Sequence, residues 1–159
     1  MYRILLGISA VLVTLSVAIA GTIKPQNGWV VIDTQQSFTA LSERLEAAVK
    51  AEKMGLVTSA SASVGAKAAG FMIPGNRIVG VFRNDFARRM LGASVASGIE
   101  APVRFYLTEN PDGTATLSYK KPSFVFAPYL DEGKDALRSL GGELDNVFAK
   151  IAEAATTAK

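Results

Sequence analysis

The sequence predicts an α+β fold: a two-layer sandwich in which a four- to five-stranded, mostly antiparallel sheet carries helices on one face. Three observations predict it. Residues Val103 to Lys120 alternate apolar and polar side chains on either side of Pro111-Asp112-Gly113, as a hairpin does when one face meets a core and the other is free. Phe38, Leu41, Leu45, Ala48 and Val49 recur at helical spacing, and so do Leu137, Leu140, Leu144, Val147, Phe148, Ile151 and Ala155. The short runs between them are rich in β-branched residues and bounded by glycine, proline and asparagine.

The first element is not part of the fold. Arg3 precedes an uncharged apolar run from Ile4 to Ile19, and Ala18-Ile19-Ala20 before Gly21 fits a small-x-small cleavage site. Residues 1–20 read as a secretory signal peptide, which predicts a secreted or periplasmic protein with no stable membrane span once the signal is removed. The alternative is an uncleaved N-terminal anchor, for which the run is a little short of the roughly 20 residues a spanning helix needs. The absence of cysteine excludes a lipid-modified cysteine. Residues 21–28 form a polar, turn-rich lead-in, and residues 29–156 a single domain.

Within that domain, Trp29 to Thr34 reads as a strand. Ser37 caps a helix over about Phe38 to Met54, with Gly55 as its stop. "LVTSASAS" alternates weakly, and "VGAKAAG" reads as a short helix or a loose segment. Arg77 to Arg83 is a strand. Asn84 caps a second helix over Asp85 to Ser97, closed by Gly98. In the hairpin, Pro111 presets a type I turn and Gly113 accepts positive φ. If Asn110 faces Thr114, then Thr108 lies opposite Thr116, Leu107 opposite Leu117 and Phe105 opposite Tyr119. One face is then Val103, Phe105, Leu107, Ala115, Leu117 and Tyr119; the other is Arg104, Tyr106, Thr108, Thr116, Ser118 and Lys120. "PSFVFAPYL", punctuated by Pro122 and Pro128, reads as extended chain along an edge. Gly141-Gly142 predicts a break in the last helix, at about 1 kcal/mol per glycine relative to alanine, unless the pair permits a close approach.

Composition closes several chemistries. With no histidine and no cysteine among 159 residues, the usual zinc sites, an imidazole base and a thiolate nucleophile cannot be built. No calcium-loop spacing or phosphate-loop spacing is present, so no cofactor and no metal are predicted. Removal of Arg3 with the signal leaves 16 basic and 14 acidic residues, too even a balance for a nucleic-acid partner.

The arginine-rich stretch "VFRNDFARRM" and the hairpin supply the candidate site. Arg89 reads as a solvated helix residue, four positions after Asp85 in the favourable order. Arg88 lies on the flank of the apolar stripe, and Arg83 ends a strand. Arg104 and Lys120 stand opposite each other on the non-core face, where like charges are destabilising unless an anion or a carboxylate such as Glu100 lies between them. Tyr106 adds a ring and a hydroxyl. The candidate ligand-binding residues are Arg83, Arg88, Arg104, Tyr106 and Lys120; no catalytic residue is assigned.

The string from "RIVGVFRNDFARRML" through "IEAPVRFYLTENPDGTATLSYKKPSFVFAPY" to "GELDNVFAKI" resembles the family called domain of unknown function 302, over about Ile32 to Ala155. The resemblance implies a compact α+β domain with helices packed on a sheet, and no established activity. The leading expectation is a non-catalytic binding module for a small anionic or amphiphilic ligand. The alternatives are a structural protein that forms a homodimer through the sheet face or the edge at Phe124 to Tyr129, and a hydrolase-like enzyme that works without His or Cys.

Overall fold

The computed structural model of the protein describes residues 23–157; the expected signal peptide lies outside them. Five strands form one antiparallel sheet in the order β1-β5-β4-β3-β2. They are β1 (Trp29–Ser37), β2 (Gly55–Ala60), β3 (Asn76–Phe82), β4 (Val103–Glu109) and β5 (Thr114–Lys120). The helices are α1 (Phe38–Ala51), α2 (Ala62–Ala68), α3 (Asn84–Ala93), α4 (Pro122–Phe126) and α5 (Leu130–Thr156).

The hairpin forms with the register that its turn dictates. Asn110 N donates to Thr114 O at 2.8 Å, Gly113 N donates to Asn110 O at 3.0 Å, and Gly113 has φ 81. Phe105 pairs with Tyr119, Leu107 with Leu117 and Thr108 with Thr116. Period-2 alternation then sends Phe105, Leu107, Ala115, Leu117 and Tyr119 into the core, where each is buried. α1 buries Leu41, Leu45, Ala48 and Val49, the stripe expected of it. α5 lays Leu137, Leu140, Leu144, Phe148, Ile151 and Ala155 over the same core. At its centre Phe148 stacks on Phe105, centroids 4.4 Å apart, and both rings touch Tyr119.

Four local expectations are corrected. Residues 122–129 are helical, a short α4 followed by a 3-10 turn at Ala127–Tyr129. Pro122 and Pro128 sit at helix starts, where a missing N–H costs nothing, and Phe126 is buried as the anchor. The edges of the sheet are therefore β1 and β2. Asn84 is the first residue of α3 rather than its cap; Arg83 holds that position without a side-chain capping bond. α3 ends at Ala93, because Glu132 accepts from Ser94 Oγ at 2.7 Å and Val95 N at 3.1 Å and turns the chain into a 3-10 segment, Ala96–Glu100. Finally, α5 runs unbroken through Gly141-Gly142 and kinks instead at Lys134, φ 45 and ψ -137.

Candidate functional site

The longer helices α1, α3 and α5 bury their apolar stripes on the core side of the sheet, so the strands set most of what the other face carries. Two rows cross it. In one, Thr58 pairs with Gly80, Gly80 with Arg104, and Lys120 with Trp29. Arg104 and Lys120 lie one step beyond the Phe105–Tyr119 pair on the same register. In the next row Ala60 pairs with Ile78, Ile78 with Tyr106, Tyr106 with Ser118 and Ser118 with Val31. Gly80 is needed in the first row, since a Cβ there would stand 2.1 Å from Thr58 Oγ1 and 2.7 Å from Pro102 Cγ.

Over these rows lies a cleft of about 710 Å³. Ile78, Tyr106 and Ser118 line its floor, Trp29 and Val125 stand at the β1 side, and Ala60, Ser61, Ala62 and Asn76 at the β2 side. Arg104, Lys120 and Glu100 bring the charges. Trp29 is set by its neighbours: Gly28, with φ 74, packs so tightly on the Phe124 ring that a Cβ would fall within 2.1 Å of it, and Lys121 N donates to Gly28 O.

Neither cation of the cleft is in an ion pair among the described residues. Among the described residues Arg104 makes no ion pair and no side-chain hydrogen bond. Lys120 Nζ lies 5.5 Å from the Trp29 ring centroid, within the range of a cation–π contact. Glu100, expected as a bridge between the two cations, instead accepts from Tyr129 OH at 2.7 Å. That bond to a carboxylate, with burial adding to it, pushes the Tyr129 phenol above its ordinary value.

The structure brings together three of the five candidates, Arg104, Tyr106 and Lys120. Arg83 and Arg88 belong elsewhere. Arg83 Nε donates to Asp85 Oδ1 at 2.8 Å and its guanidinium lies 4.1 Å from the Phe86 ring. It lines a small apolar pocket beside Met54, Val81 and Phe148, on the core side. The pairing holds the Asp85 carboxyl below its ordinary value. Arg88 is exposed on α3 and does not line the cleft. Arg89 reaches past Asp85 to α5, where both its terminal nitrogens donate to Glu143, at 2.8 and 2.6 Å. Arg77 is also spent: Glu46, Ser42 and Ser59 accept from it.

The hydroxyls of the free face are largely committed too. Thr116 Oγ1 donates to Asp33 Oδ1 at 2.7 Å, and both Thr116 and Ser118 are buried. The polar face of six residues thus narrows to Arg104, Tyr106 and Lys120. Sequence reasoning missed Trp29, Ile78 and Val125. Alternation within β3, with Val79 inward, was signal enough for Ile78; Trp29 required the pairing of β1 with β5, and Val125 required α4. Among the described residues no three acidic side chains gather to hold a metal.

The arrangement offers two cations above a largely apolar lining. The sequence matches the family described as "Domain of unknown function DUF302" over residues 30–157. The fold is similar to the crystal structure of an uncharacterized conserved protein DUF302 from Bacillus stearothermophilus, with TM-score 0.71 and 19% sequence identity, covering 80% of this chain and 98% of that one. No curated protein matches the chain.

Proposed function

The chain belongs to the DUF302 family, a description that names no activity, and we propose that it is an exported, non-catalytic binding module for a small amphiphile with an anionic head. The head would sit between Arg104 and Lys120, and the apolar body would lie along Ile78, Tyr106 and Trp29. One observation carries this reading: Arg104 and Lys120, neither of them in an ion pair among the described residues, line one cleft together with apolar side chains. Like charges across a strand pair are unfavourable, and an anion between them removes that cost. The export half rests on the signal-peptide pattern of residues 1–20.

Homodimerisation through the same face is the competing reading. It would crowd the Arg104 and Lys120 cations of both copies into one interface, so the geometry favours a ligand.

Titration calorimetry with decanoate, decanol and inorganic sulfate tests the proposal. Decanoate is expected to bind more tightly than either of the others, because only it has both parts. Arg104→Ala is expected to raise the decanoate dissociation constant about tenfold or more, the worth of a charge-assisted hydrogen bond. Equal binding of decanoate and decanol, or an unchanged constant in Arg104→Ala, overturns the proposal.

A further inference from the structure

The two edges of the sheet are treated differently. β1 carries Asp33, shifts register between Asp33 and Ser37, and is held at its end by Gln36, whose Nε2 donates to Ala155 O and Thr156 O of α5. Charge, irregularity and cover are the devices by which sheets avoid pairing with another chain. β2 has a register shift between Leu56 and Thr58 but no charge and no proline in "GLVTSA", and all six of its residues are exposed.

Apolar side chains stand at both ends of this open edge. At its start Leu56 and Val57 are 38% and 51% exposed. At its end the chain enters α2, which buries nothing, and returns to β3 through Phe71, Met72 and Ile73. Phe71 and Met72 are 68% and 83% exposed. Single exposed apolar residues are ordinary; here two groups of them flank the two ends of one uncharged, unpaired edge.

We propose that β2 pairs with the β2 of a second copy of this chain, antiparallel about a two-fold axis, joining the two five-stranded sheets edge to edge. The choice of a second copy follows from self-complementarity. Antiparallel pairing sets the end of one β2 beside the start of the other, so Phe71 and Met72 of each copy approach Leu56 and Val57 of its partner. The strand has no charge, so no like charges meet across the axis. The unpaired N–H and C=O groups of each edge are satisfied by the other. The surface is smaller than the roughly 20–30 residues a side of a standard interface, so a dimer of micromolar affinity is expected. The cleft is on the face and the pairing is on the edge, so this inference does not depend on the ligand proposed above.

Sedimentation velocity from about 1 to about 300 micromolar, a span that brackets micromolar dissociation, tests it. The wild-type protein is expected to pass from monomer to dimer, Val57→Lys to stay monomeric with an unchanged unfolding midpoint, and Ile78→Lys, on the free face, to dimerise like wild type. Hydrogen exchange on the wild-type protein gives a second readout: β2 amides are expected to exchange more slowly at high concentration than at low. A monomer throughout, a dimer that survives in folded Val57→Lys, or one lost only in Ile78→Lys overturns the proposal. Should Val57→Lys fail to fold, β2 amides whose exchange is independent of concentration overturn it equally.

Discussion

Gly141 of α5 lies against Ser123 of α4, so closely that a Cβ on Gly141 would stand 2.9 Å from the Ser123 Cα and 3.4 Å from its backbone nitrogen. The contact explains why a glycine stands at position 141 inside a continuous helix. α4 also docks there through Asp145, which accepts from Ser123 N at 2.9 Å and from Ser123 Oγ at 2.5 Å. The second glycine has no such role: nothing lies within 4 Å of a Cβ on Gly142.

The two glycines should therefore respond oppositely to one substitution. Gly142→Ala is expected to stabilise by roughly 0.5–1 kcal/mol, from helix propensity alone. Gly141→Ala gains the same propensity but must push backbone away from backbone, and is expected to destabilise by about 1–3 kcal/mol. Urea midpoints of the two variants against wild type check the pair, and equal shifts of one sign would remove this account of the contact.

Phe148 is fully buried and touches Phe105 and Tyr119. Phe148→Ala removes both the transfer free energy and the packing of the α5 ridge on β4 and β5. A loss of about 3–5 kcal/mol is expected, read as a lower denaturation midpoint. Phe124→Ala, at a residue 39% exposed, is expected to cost less.

The Arg89–Glu143 pair should give stability a pH dependence. The guanidinium beside Glu143 holds its carboxyl below the ordinary value of 4.5. A depressed folded value means the contribution is present above the unfolded value and is lost as pH falls through the folded one. Glu143→Gln is thus expected to unfold at a lower temperature than wild type at about pH 7, with the gap narrower at about pH 3. Differential scanning calorimetry at both pH values measures it. The pair is half exposed, at 48% and 45%, so high salt should shrink the gap as well.

Trp29 is the one tryptophan of the chain and lines the cleft. Its emission is expected to change as decanoate is added and to stay constant with sulfate alone. Lys120→Ala, which removes the cation 5.5 Å from its ring, is expected to shift the emission of the free protein and to weaken decanoate binding about threefold to tenfold, within the range of an exposed charge contact. An emission spectrum indifferent to decanoate would separate Trp29 from the binding surface.

Much of the fold was legible in the sequence because its signals are local. Ser37 caps α1 as its position implies, accepting from Ala40 N. Pro111 and Gly113 fix a turn, and the turn with the period-2 pattern fixes which side chains of β4 and β5 share a face. Two of the misreadings were at places where a distant residue decides. Pro122 and Pro128 fit an edge strand or a helix start equally well, and the burial of Phe126 under α5 selects the helix. The end of α3 depends on Glu132, 38 positions from Ser94.

The candidate site divides along the same line. The sequence by itself determined that Arg104, Tyr106 and Lys120 stand together on one side of a hairpin, because strand register is set by a four-residue turn. Only the tertiary structure decided which arginines are free. Arg83 and Arg89 carry the same charge as Arg104 and stand closer together in the chain, but Asp85 and, 54 positions away, Glu143 neutralise them. Asp85 stands only two positions from Arg83, but Glu143 meets Arg89 only in space, and likewise the cleft between the rows of the free face became visible only when β1, β3 and α4 were set around the hairpin.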